Sequence, residues 1–413
     1  MKDLGQLFMT GVAGTELTED EKDIIQDMDL GGVILFSRNY ENPVQLARLI
    51  NSIQELRNEQ PMFIAVDQEG GRVMRFKEPF LQLPSAGHMA SYESAKLVYN
   101  AYRTQARELK AVGVNLNFSP CVDILKNKDN EVIGDRAFGD NAEVVERFMS
   151  AALRGVQTER LIPCVKHFPG HGRTAEDSHE ELPRLSGVYD EMRNEEFKVF
   201  KKAVRSKLDF VMVAHLLVDE IDSELPTSLA PKTYKILRDE MKFSRIAITD
   251  DMQMKAITDN YGLGDAAEMA INAGADIVLY RDLETGYKAF KEVEKKVASR
   301  DIPPQVVRSK VQRIFKCKEA RLKFYKPINA VTVSSSFGGK YANQVLESFT
   351  GEKKVRPPRE DRPERHQEPE KTENTDKVNE PTKKVAKKVG KKTTKKVTKK
   401  TAKKVVKKVS KEE

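Results

Sequence analysis

Cysteine is scarce in this chain: Cys121, Cys164 and Cys317 are odd in number and far apart in 413 residues. That excludes a disulfide framework and fits a reducing compartment. No apolar run approaches the roughly 18 residues a membrane span needs. The N-terminus offers only Lys2 before an apolar stretch, with Asp3 beside it, and residues 4–14 are interrupted by Gly, Gln and Thr. No A-x-A-like cleavage site follows, so no secretory leader is expected and the cytoplasm is the expected location. Also missing is a G-x-G-x-x-G turn after the first strand-like run, which a Rossmann-like sheet prefers.

Acidic charge is lacking only in the tail. Residues 351–413 hold 23 Lys+Arg against 11 Asp+Glu, leaving 48 basic and 52 acidic residues in 1–350. The net charge of +8 therefore belongs to the tail, and the body is mildly acidic. From Lys383 a tetrad repeat sets lysine pairs four apart, with Val385, Val389, Thr393, Val397, Thr401, Val405 and Val409 in step. So few apolar groups among so many like charges do not offset the entropy of ordering, and 351–413 reads as a disordered basic tail. Its fifteen lysines in 383–411 suit weak, sequence-independent binding of nucleic acid or another anionic surface. It has no interleaved aromatics, so base stacking is not expected. The plainer alternative is a solvated extension.

What the body does have is a repeated unit. Apolar runs at 6–12, 32–36, 62–67, 114–119, 163–168, 210–215, 246–250 and 276–280 alternate with helix-like stretches, among them 43–57, 91–112, 141–160, 191–207, 231–241 and 265–273. Thr18-x-x-Glu21 reads as a capping box opening the first helix. Strands apolar on both faces and alternating with helices make a buried parallel sheet. Eight such units over about 330 residues predict an α/β fold of the (β/α)₈ TIM-barrel type. The expected organisation is a catalytic barrel in 1–330, an extension in 331–350 with a last helical turn at 344–349, and the tail in 351–413.

Several runs end in polar or ionisable residues: Asp67, Ser119, Lys166 with His167, His215 and Asp250. In a barrel those ends share one face, where active sites are built. The densest cluster is Lys166 to His179, which sets one lysine, three histidines and Asp177 in a loop broken by Pro and Gly. His167-x-x-x-His171 has a zinc-like spacing, but Pro169 and Gly170 interrupt any helix that would align the pair, so no metal is expected. Asp177 stands two residues before His179, where a carboxylate can orient an imidazole for proton transfer near neutral pH. At Asp250-Asp251, alternation predicts that only one side chain faces the barrel axis and the other caps a helix at 252–257. An inward carboxylate there suits a nucleophile at a sugar's anomeric carbon. In Asp67-Gln68-Glu69-Gly70-Gly71-Arg72-Val73-Met74-Arg75, Asp67 suits vicinal hydroxyls, whereas Arg72 and Arg75 fit equally well as partners of local acids. Gly134-Asp135-Arg136 adds a candidate donor.

Three of these motifs together resemble bacterial β-N-acetylglucosaminidases of glycoside hydrolase family 3: Lys166-His167-Phe168-Pro169-Gly170-His171-Gly172 with Asp177-Ser178-His179, Val66-Asp67-Gln68-Glu69-Gly70-Gly71-Arg72-Val73, and Thr249-Asp250-Asp251-Met252-x-Met254. The resemblance implies a barrel and a retaining exo-hydrolase of terminal β-linked N-acetylglucosamine, needing no cofactor and acting, in the bacterial cytoplasm, on muropeptide fragments. It assigns Asp250 as nucleophile, His179 as acid/base with Asp177 as its partner, and Asp67, Arg75, Arg136, Lys166 and His167 as sugar-holding residues. A monomer is expected. Arg173 departs from the family pattern and is expected to alter the loop or reach the acceptor. Specificity for another sugar, or transfer to phosphate, stays open.

Overall fold

The eight apolar runs become eight parallel strands of one closed barrel in the computed structural model, which describes residues 3–57, 60–175 and 182–350. The strands are β1 (Phe8–Thr10), β2 (Gly32–Leu35), β3 (Phe63–Val66), β4 (Leu116–Asn117), β5 (Ile162–Phe168), β6 (Phe210–Val213), β7 (Ile246–Asp251) and β8 (Ile277–Tyr280). Each pairs with its sequence neighbours, and β1 closes on β8. Every residue of β1 to β6 and of β8 is buried, because helices cover one face and the barrel interior fills the other. Each fully buried large side chain contributes about 1.5–3 kcal/mol over its exposed state, so this shell and interior dominate stability.

The first five α-helices begin where short polar side chains satisfy their first N–H groups. Thr18 and Glu21 form the reciprocal capping box expected of them. Asn42 caps Pro43–Glu55, with proline at its first position, and Asn141 caps Ala142–Thr158. The predicted stretch 191–207 is two helices, Tyr189–Asn194 and Glu196–Arg205, and 231–241 passes from an α-turn into a π-turn at Ile236–Glu240.

Three expectations need correction. The run 6–12 opens with a 3₁₀ turn at Leu4–Leu7 and yields only a three-residue strand. The run 114–119 yields two strand residues: the Ser119 N–H turns back to the Asn117 carbonyl, and pairing with β5 resumes only as an isolated bridge between Cys121 and Lys166. The final helix is Lys340–Glu347, earlier than 344–349; Tyr92 then donates to the Phe349 carbonyl at 2.5 Å, and Phe337 packs edge-on against Phe80.

At the N-terminal ends of β6 and β8 two aspartates are fully buried. Asp209 pairs with Arg245 at 2.8 Å and Arg321 at 2.6 Å. Asp276 pairs with Arg238 at 2.7 Å and with Arg313. Arg313 and Arg321 belong to the helix Pro304–Leu322, so these ion pairs fasten that helix across the barrel's floor. Among the described residues no helix is long and apolar enough to cross a membrane.

Candidate active site

At the opposite face, the C-terminal strand ends enclose a cleft of about 480 Å³. Asp67, Arg75, Arg136, Lys166, His167 and Asp250 all line it. They come from the ends of β3, β5 and β7, from the hairpin Gln68–Gly70 with Val73–Met74, and from the 3₁₀ turn Gly134–Arg136. Gly70 and Gly71 both take positive φ, of 125° and 56°, which lets that hairpin fold back on the strand it follows. Asp177 and His179 lie outside the described residues.

A chain of alternating charges forms one wall. Lys166, nearly inaccessible to solvent, places its ammonium 2.6 Å from Asp67 Oδ1 and 2.7 Å from Glu69 Oε1. Arg136 clasps Glu69 with two parallel bonds, Nε to Oε2 at 3.0 Å and Nη2 to Oε1 at 2.9 Å. Arg75 reaches Asp67 Oδ2 at 3.3 Å. Burial favours the neutral acids here, but Lys166 and Arg75 outweigh it at Asp67, and Arg136 and Lys166 at Glu69; both carboxyls are held below their ordinary range. Burial works against the cations too, and the same two carboxylates keep Lys166 protonated to well above its usual value. The wall is thus fully charged at neutral pH and each member is already partnered, a pre-set array for sharing bonds with hydroxyls.

Glu69 stands within its motif, where the sequence alone assigns it no role. Asp123 was missed altogether. Fully buried, it accepts from His167 Nδ1 at 2.7 Å, from the His167 N–H at 3.2 Å and from the His171 N–H at 2.7 Å. Burial favours its neutral acid, yet His167 and the His171 N–H more than reverse this, so it is an anion. A carboxylate between Val122 and Ile124 is costly unless it is paired, and that was the available signal. Because Asp123 takes the Nδ1 hydrogen, His167 turns Nε2 to Arg136 Nη2, 3.4 Å away. Cys121, Asp123 and His167 bring possible ligand atoms within 4.8 Å of one another, the one such group among the described residues. Their contacts are those of a hydrogen-bond cluster, since Cys121 Sγ also donates to Asp123 at 3.2 Å. His171 bonds Thr174 Oγ1 through Nδ1 at 3.0 Å, and burial and His167 push it down to about 4, so it is neutral.

Both members of the Asp250-Asp251 pair line the cleft, against the expectation from alternation. The pairing of β7 with β8 slips between Ile248 and Asp251, and this irregularity turns consecutive side chains to one side. The following helix, Lys255–Thr258, has Met254 at its N-cap instead of an aspartate. Asp250 Oδ1 accepts from the Asp251 N–H at 2.8 Å. Burial would neutralise Asp250, but His167, His215, that N–H and Lys166 hold it below the usual carboxylate value. Asp251 meets Arg281 Nε at 2.8 Å and accepts from the Gln253 N–H at 3.0 Å, yet burial and the neighbouring Asp250 push it up to about 6. His215 supports this segment. Its Nε2 donates to the Asp251 carbonyl at 3.1 Å and its Nδ1 meets Ser228 Oγ at 2.7 Å.

Arg173 does not reach toward an acceptor. Its side chain is 9% exposed and pairs with Glu191 at 2.7 Å and with Glu195 and Glu196 at 2.6 Å each, tying the loop after β5 to the two helices that follow. Main-chain N–H groups of Lys126 and Asn127 both donate to the Gly172 carbonyl at 3.0 Å, fixing the same stem from its other side.

The geometry has known counterparts. The family profile described as Glycosyl hydrolase family 3 N terminal domain matches residues 1–317. A beta-hexosaminidase of Nitrosomonas eutropha is 38% identical over 284 residues, which is 67% of this chain and 80% of that protein. One from Tolumonas auensis is 35% identical over 275 residues, 66% of this chain and 81% of its own. Among solved structures, a glycoside hydrolase family 3 beta-N-acetylglucosaminidase from Paenibacillus sp. str. FPU-7 superposes with a TM-score of 0.80 at 33% identity, covering 84% of this chain and 67% of that one.

Proposed function

The chain belongs to glycosyl hydrolase family 3, and from that membership we propose a β-N-acetylhexosaminidase that works by retention through a covalent glycosyl-enzyme on Asp250. The observation that carries this reading is the ionised Asp250 carboxylate, set at the mouth of β7 in the same cleft as Lys166, His167, Arg136 and Arg75. A carboxylate anion beside polar groups suited to a sugar ring has the charge and access that a nucleophile needs. Asp67, Arg75, Arg136, Lys166 and His167 hold the terminal sugar, with Glu69 and Asp123 fixing the cations and the imidazole that do so.

An Asp250 oxygen bonds to the anomeric carbon as the glycosidic C–O bond breaks. Protonated His179, oriented by Asp177, gives its proton to the departing oxygen. Neutral His179 then takes a proton from water as that water's oxygen bonds to the anomeric carbon and the Asp250 ester bond breaks. Two inversions leave the β configuration unchanged. We assign as substrate the N-acetylglucosaminyl fragments of peptidoglycan, an assignment that rests on the family resemblance.

The test is a trapped intermediate. A 5-fluoro N-acetylglucosaminyl fluoride is expected to inactivate the enzyme and leave its adduct on the peptide containing Asp250, while Asp250→Ala loses turnover of 4-nitrophenyl N-acetylglucosaminide. As a second arm, His179→Ala loses far more activity on disaccharides than on the nitrophenyl substrate. An adduct on another side chain, or equal losses in the second arm, defeats the corresponding assignment.

A further inference from the structure

Most of the cleft's cations are neutralised within it: Lys166, Arg75 and Arg136 by Asp67 and Glu69, and Arg281 by Asp251. Two are not. Arg38 donates through Nε to the Val12 carbonyl at 2.9 Å and through Nη2 to the Arg281 carbonyl at 2.6 Å. Arg72 donates through Nη2 to the carbonyls of Val132, at 2.6 Å, and Glu131. Among the described residues, the carboxylates within 4 Å of them are Asp282, 3.9 Å from Arg38, and Asp135, 3.7 Å from Arg72, and both are more than half exposed. Pairs so long and so wet contribute little. Carbonyls are neutral, so they fix where each guanidinium sits without cancelling its charge. Arg38 is held further by the Phe36 ring, whose centroid is 4.5 Å from its guanidinium carbon. Both side chains line the cleft and remain partly exposed, at 37% and 51%. An arginine so held loses little freedom on binding and presents a planar fork suited to a carboxylate.

We propose that Arg38 and Arg72 form an anion-receiving rim that selects N-acetylglucosaminides whose leaving portion carries a carboxylate. This rests on the hydrolase reading above and adds the residues that read the charge. The alternative is that both serve only as ties between loops, since their carbonyl partners lie on neighbouring segments.

The experiment compares N-acetylglucosaminyl-β-1,4-N-acetylmuramic acid with its lactyl methyl ester, two substrates alike in shape and different by one charge. For the wild-type protein, kcat/KM is expected to favour the acid, and added salt to erode that preference. In the R38Q/R72Q variant the acid-to-ester ratio is expected to fall by about tenfold, through KM and not kcat. R38K/R72K keeps the charge while losing the fork, and is expected to retain most of the preference. Equal kcat/KM for acid and ester in the wild type, or an unchanged ratio in R38Q/R72Q, overturns the rim and leaves the hydrolase reading standing. A wild-type protein that cleaves neither substrate, nor the 4-nitrophenyl glycoside, overturns the hydrolase reading itself.

Discussion

Asp250 and Asp251 are covalent neighbours held on opposite sides of their ordinary acidity, one kept anionic by imidazoles and an ammonium, the other pushed up to about 6 by burial and by its neighbour's charge. The fold therefore favours the neutral form of Asp251. Its contribution to stability is complete below about pH 4 and is lost as the pH climbs through 6. Asp251→Asn has nothing to titrate, so the stability difference between variant and wild type is expected to shift in the variant's favour by about 2–3 kcal/mol between pH 4 and pH 7. Denaturant titrations at the two pH values measure this, and a difference independent of pH refutes it. At this scale the sequence disclosed residues that announce themselves: Asp67, Lys166 and Asp250 as polar ends to apolar strands, and Arg136 in the Gly134-Asp135-Arg136 loop. It concealed Glu69 and Asp123 because their partners lie 67 and 44 residues away, a separation that no local spacing encodes.

The barrel strands were legible as elements because burial on both faces leaves an uninterrupted apolar run. Their ends were less so. The slip in β7 comes from its pairing with β8, a tertiary relation with no mark in Ile246–Asp251 itself. The stem after β5 is similar: Arg173 stood out by type, but its three partners, on Tyr189–Asn194, on Glu196–Arg205 and at Glu195 between them, emerge only when those helices fold back. Glu196 is buried there, and burial, ahead of Arg173, decides that its carboxyl lies above its usual value. Removing Arg173 takes the cation from Glu191 and from buried Glu196, while Glu195 keeps Lys126 at 2.7 Å. Arg173→Ala is expected to cost about 2–4 kcal/mol, less at pH 5 than at pH 8, because a buried glutamate without its cation is cheaper to keep protonated in acid. Equal losses at both pH values in equilibrium unfolding refute the cluster's electrostatic role.

Across the whole molecule, charge is divided between a mildly acidic body and a basic tail. A chain ending at residue 350 is expected to keep the wild-type rate on 4-nitrophenyl N-acetylglucosaminide and to pass from cation-exchange to anion-exchange retention at pH 7. A large loss of rate on that neutral substrate counts against the tail's independence. Such a chain retains Arg313 and Arg321, the cations that answer Asp276 and Asp209 beneath β8 and β6. The floor of the barrel is thereby locked by Pro304–Leu322, the last long helix among the described residues. Until Pro304–Leu322 has left the ribosome, a nascent barrel with all eight strands in hand holds Asp209 with Arg245 and Asp276 with Arg238 but lacks the second cation of each pair, so its floor is completed only after its final strand is made.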